Sequence, residues 1–140
     1  MQLLLFGTLG GLLTVQSVYD IRYKRLPLWI TILGMAVGGA FRILQGNHWT
    51  LLLFGLIPGS LCLLFAKISK EAMGYGDGLI ICMMGVSLSM QHLIGSCLIG
   101  FVLAGVVALI LLVFGKRKGK QEIPLVPFLL VGYLLEVVLC

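Results

Sequence analysis

Two aspartates stand where this sequence changes character. Asp20 closes a long apolar run and is followed at once by the basic patch Arg22-Tyr23-Lys24-Arg25. Asp77 ends the polar, glycine-rich stretch Lys70-Glu71-Ala72-Met73-Gly74-Tyr75-Gly76-Asp77, and hydrocarbon resumes after Gly78. By location alone neither acid signals a function, because a boundary aspartate is far less costly than one at the centre of a bilayer. Asp20 could form a surface salt bridge with Arg22, Lys24 or Arg25, and Asp77 could cap a helix. Brought close together, however, two carboxylates cannot both ionise easily, and they share a proton. The ionised partner then activates water while the protonated one polarises a scissile carbonyl. That is aspartyl protease chemistry, which needs neither a metal nor another cofactor. Glycine beside a carboxylate permits φ > 0 and lets an extended substrate backbone pass close by. Gly74, Tyr75 and Gly76 are therefore expected to form a substrate-approach loop.

Whether the two acids can meet depends on the elements that carry them. The chain of 140 residues is 60% hydrophobic and 11% charged, with a mean hydropathy of +1.14. That lies outside the usage of soluble domains and inside that of polytopic membrane proteins. At ~20 residues per spanning helix the chain has room for about six spans and little else, so residues 1–140 read as one transmembrane domain. Apolar segments fall at 2–19, 28–45, 51–66, 78–90, 93–114 and 124–140. Lipid offers the backbone no hydrogen-bond partners and no segment shows the alternation of a barrel strand, so six transmembrane helices in an all-α fold are expected. The first run, Gln2-Leu3-Leu4-Leu5-Phe6, has no basic residues before it and no small-residue cleavage pattern after it, and reads as a retained span.

A net charge of +5 would suggest nucleic acid in a soluble protein. Here Arg22, Lys24, Arg25, Lys67, Lys70, Lys116, Arg117, Lys118 and Lys120 all fall in the first, third and fifth links, leaving only Arg42 near the second. The positive-inside rule accounts for that bias without a nucleic-acid partner. It makes those three links cytoplasmic and the 46–50 and 91–92 connections external, with both termini outside. Asp20 and Asp77 then share one membrane face. The dipoles of their helices distinguish them: Asp20 follows a C-terminus and Asp77 precedes an N-terminus, so Asp20 is expected to hold the shared proton.

Three stretches in order resemble the type IV prepilin peptidases, membrane aspartyl proteases with a GxGD signature. They are Asp20-Ile21-Arg22 with Leu26-Pro27, then Met73-Gly74-Tyr75-Gly76-Asp77, then the run from Lys118 through Ile123-Pro124-Leu125-Val126-Pro127. The resemblance implies a bacterial cytoplasmic-membrane endopeptidase that removes the leader of prepilin-like or pseudopilin precursors after a glycine, with Asp20 and Asp77 as the catalytic pair. The chain departs from the family pattern at Leu28, Ala72, Leu79 and Leu125-Val126, none of which removes an acid. Long members also carry a cysteine-containing insertion associated with methylation, and no CxxC occurs here. A peptidase without methyltransferase activity is therefore expected.

The remaining polar residues have simpler readings. Cys62, Cys82, Cys97 and Cys140 lie far apart in apolar surroundings and read as small core residues. Pro27 can open the second helix and Pro58-Gly59 can kink the third. Gly34 with Gly38, and Gly100 with Ala104, suit tight packing within one bundle. His48 and His92 fall in external links and are expected to be solvated, while Arg42 and Glu136 are expected to pair. From another class, a small transporter or channel would use the two aspartates as a cation site, and an inactive membrane scaffold would use neither.

Overall fold

The computed structural model describes residues 2–23, 25, 27–69, 74–115 and 123–139. Lys24, Leu26, the 70–73 part of the glycine-rich stretch, the basic 116–122 link and Cys140 lie outside them. The described residues form six α-helices: α1 (Gln2–Tyr23), α2 (Leu28–Leu44), α3 (Trp49–Ile68), α4 (Tyr75–Ser87), α5 (Met90–Val113) and α6 (Val126–Leu139). Among them α1, α3 and α5 are long and apolar enough to cross a membrane, whereas α2, α4 and α6 are shorter apolar helices. With Phe101, Val102, Val106, Leu109 and Leu112 of α5 and Leu53, Phe54, Leu61 and Phe65 of α3 all exposed, the outer surface suits lipid rather than water. The chain is a membrane protein built from helices.

Helix boundaries follow the expected segments with instructive shifts. The first helix runs through Arg22 to Tyr23, so Asp20 sits inside its last turn rather than beyond its end. Pro27 is the N-cap of α2 rather than its first helical residue, and its carbonyl accepts a hydrogen bond from the Ile30 N–H at 3.2 Å. The third helix continues through Pro58. The link between α4 and α5 is Leu88-Ser89 rather than 91–92. Two helices end on a glycine in the left-handed region, Gly46 (φ 81°) after α2 and Gly115 (φ 63°) after α5. An L side chain is strained in that conformation, and glycine supplies it freely.

The centre of the bundle is α4, whose residues from Ile80 to Ser87 are all buried. In lipid there is little hydrophobic force between helices, so close approach through small residues must hold them together. Along one side, Gly59 of α3 lies so near Cys82 that a Cβ there would stand 2.6 Å from the Cys82 backbone nitrogen, and Gly55 meets the Gly85 carbonyl. On the opposite side Gly34 and Gly38 of α2 receive Met83 and Ser87, which is the packing within one bundle that their spacing suggested. A second seam joins α5 and α6, where Gly132 rests on Ser96 and Gly100. Finally, α6 is tied to α1 by the Tyr133 hydroxyl, which donates to the Phe6 carbonyl at 2.8 Å.

Candidate active site

The buried face of α1 is the stripe Leu5, Leu9, Leu13 and Gln16, and the next position on that stripe is Asp20. Asp20 is half-buried, with its Oδ2 shielded from solvent. One turn below it, Gln16 is fully buried and donates through Nε2 to the Thr31 hydroxyl at 3.0 Å. The same amide nitrogen lies 3.9 Å from the Met83 sulfur, so Gln16 joins α1, α2 and α4 at one depth. No reading of the sequence singled out Gln16. Its signal was a lone amide in an apolar run, one turn before the acid.

Asp77 is the third residue of α4, in its first turn. Gly74 rather than Asp77 is the N-cap, and the Asp77 N–H donates to the Gly74 carbonyl at 3.2 Å. The expected substrate-approach loop needs correcting here. Tyr75 and Gly76 are helical, and Gly74 has φ −63°, so neither a long loop nor a positive φ is present at these residues. Gly78 in the same turn packs against Leu63 of α3, and the turn is helical despite the poor helix propensity of glycine. What Gly74 supplies is space, since a Cβ there would stand 3.2 Å from the Asp77 Oδ2. Gly78 does the same on the other side of the acid, where a Cβ would meet Leu63 Cγ and Cδ2 at 2.8 Å.

The depths of the two acids follow from the Gln16–Met83 contact. Asp20 lies four residues from Gln16 and Asp77 six residues from Met83, or ~6 Å and ~9 Å of helix rise toward the same end of the bundle. Counted along the helices, both half-buried acids thus lie within two turns of that contact, toward one end of the bundle. Among the described residues no group of three or more His, Cys, Asp or Glu converges as a metal site would require.

The polar residues at the opposite end make buried or part-buried contacts of their own. Glu136 meets His92, with Nδ1 and Oε1 3.4 Å apart, and the His92 ring packs edge-on against Phe6. His92 is therefore a packed residue in the first turn of α5 rather than a solvated one. Arg42, 9% exposed, donates from Nη1 to the Leu88 carbonyl. There its positive charge stands at the C-terminus of α4, where the helix dipole favours it. The α4 helix stops early, leaving its last carbonyls for Arg42 to reach. Cys82 is buried and Cys62 and Cys97 are half-buried free thiols, as small core residues would be.

The family model of the type IV leader peptidases matches residues 7–109, well over half of the chain. The chain belongs to the type IV leader peptidase family. No curated protein and no solved structure matches it in the corresponding searches. The segment matched to the leader peptidases contains Asp20, Gln16, the Gly74 to Gly78 turn and the whole of α4, and it stops before α6. A peptidase of this family acts on a protein substrate.

Proposed function

We propose that this leader peptidase family member is an aspartic endopeptidase in which Asp20 and Asp77 share a proton and cleave a peptide bond at one face of the membrane. The observation that supports the reading is the Gln16 contact with Thr31 and Met83, from which Asp20 and Asp77 each lie within two turns along their own helices. The ionised acid takes a proton from water as the oxygen attacks the scissile carbonyl, and the protonated acid hydrogen-bonds the developing oxyanion. The proton then passes to the leaving amine, and the pair returns to its starting charge.

Asp20 lies in the last turn of α1, where the dipole opposes a negative charge, and Asp77 in the first turn of α4, where the dipole favours one. Asp20 accordingly holds the proton in the resting pair. The substrate is a prepilin-like or pseudopilin precursor whose extended backbone passes over the first turn of α4 at Gly74, Tyr75 and Gly76. All six helices lie within the bacterial cytoplasmic membrane. The acids face the cytoplasm, in keeping with the basic links, and the first residues of α1 and the last of α6 lie on the other side.

Co-expression of the chain with such a precursor, followed by electrophoresis of leader removal, tests the reading. Asp20→Asn and Asp77→Asn should each abolish processing while the protein still accumulates in the membrane. Normal cleavage by either variant would refute a two-carboxylate mechanism.

A further inference from the structure

At the end of the bundle away from the aspartates lies a pocket of about 510 Å³, within the size range of ligand sites. It is framed by the first turn of α1, the turn that follows α2, the end of α4 and the start of α5. Arg42, Gln45, Asn47, Ser89 and His92 line it, together with Ser87, whose hydroxyl donates to the Met83 carbonyl. Its apolar wall comes from Phe6 and its neighbours on α1 and from Val137. No acidic residue is among its lining residues.

Two features of this pocket call for a ligand. Arg42 is 9% exposed and spends one N–H on the Leu88 carbonyl, out of the five that a guanidinium carries. Gln45 Nε2 is buried, and no described residue accepts a hydrogen bond from it. A buried amide donor without an acceptor is destabilising, and native structures seldom leave one so. A cation, an unmatched donor, the Ser89 hydroxyl and a second amide around one cavity suit an anion with several acceptor oxygens. Charge-assisted bonds of this kind are the strong ones. The half of the wall that is apolar suits an anion attached to hydrocarbon.

We propose that this pocket holds the phosphate group of a phospholipid from the leaflet remote from the aspartates, with Arg42 and Gln45 as its principal donors. The lipid glycerol and upper acyl carbons lie against Phe6 and Val137. Neither leader cleavage nor the two aspartates enter this inference, so it stands apart from the proposed function.

The test uses the full chain purified in mild detergent, with bound species counted by native mass spectrometry. Three probes are offered separately: phosphatidylglycerol, diacylglycerol of the same chains, and inorganic phosphate. Phosphatidylglycerol should be retained and diacylglycerol should not, and Gln45→Leu should weaken retention by about tenfold or more, as loss of a hydrogen bond to a charged group implies. Gln45→Leu leaves the Arg42–Leu88 bond in place, so an unchanged thermal midpoint verifies the fold; Asn47→Leu serves if that midpoint falls. Retention of inorganic phosphate in preference to the lipid would overturn the lipid source. Equal retention by the wild type and both variants, or of diacylglycerol and phosphatidylglycerol alike, would overturn the site.

Discussion

Replacing Gly78 by alanine should damage catalysis more than its chemistry suggests, because the new methyl has nowhere to go. Its Cβ would stand 2.8 Å from Leu63 Cγ and Cδ2 and 3.2 Å from the Leu63 backbone nitrogen. Carbon atoms pack at about 3.5–4.0 Å, so the N-terminus of α4 must move away from α3 by roughly 0.7 Å or more. Overpacking of this kind destabilises by about 1–3 kcal/mol. Asp77 is the adjacent residue, and a displacement near 1 Å of a reacting group lowers rates by about 10²-fold. Gly85→Ala supplies the control. It meets the Gly55 carbonyl in the same seam, but eight residues, or ~12 Å of helix, from Asp77. The assay is the initial rate of leader removal at subsaturating precursor, with a thermal midpoint for each protein. Gly78→Ala should lose about 10²-fold in rate. Gly85→Ala should lose thermal stability at least as heavily and rate much less. Adding Leu63→Ala to Gly78→Ala removes the crowding side chain but not the backbone nitrogen, so about tenfold should return. Wild-type rates in Gly78→Ala, or a double variant no faster than the single one, would refute the reasoning.

Three further outcomes follow from the same geometry. Gln16→Leu removes the bond to Thr31 and loosens the point where α1, α2 and α4 meet; a loss of about 1–2 kcal/mol in thermal or denaturant unfolding is expected, with slower cleavage that Gln16→Glu does not restore. Gly74→Ala would crowd the Asp77 carboxylate at 3.2 Å, and should lower the cleavage rate while leaving the unfolding midpoint close to that of the wild type. Difference infrared spectra should show the protonated carboxyl band disappearing in Asp20→Asn, and its survival there would place the proton on Asp77 instead.

Much of the architecture was legible in the residues, and the boundaries show why the rest was not. Apolar runs separated by short polar links locate six helices because each helix is specified by its own composition. The segregation of lysines and arginines predicts one side for Asp20 and Asp77. The start of α4 was misread because Gly74, Tyr75 and Gly76 have loop-like local preferences, while the packing of that first turn on α3, Gly78 against Leu63, joins residues fifteen apart in sequence. Gln16 escaped notice for a related reason: its value lies in Thr31 and Met83, which no local pattern connects to it. Arg42 reaches the Leu88 carbonyl because α4 stops short of that end, which nothing in the Arg42 segment itself announces. Depth along a helix can be counted from sequence, whereas the partner on a neighbouring helix cannot.

The enclosure of α4 also bears on how freely this protein can vary. From Ile80 to Ser87 every residue has a neighbour on each side, and two of those neighbouring helices touch it through glycine. Change in this strip must be matched by change in a partner, so its positions are tied together in pairs. The outer face of α5 is exposed and apolar, and one apolar side chain there serves as well as another. Sequence drift in this fold is therefore a property of the perimeter, while the middle can move only in concert.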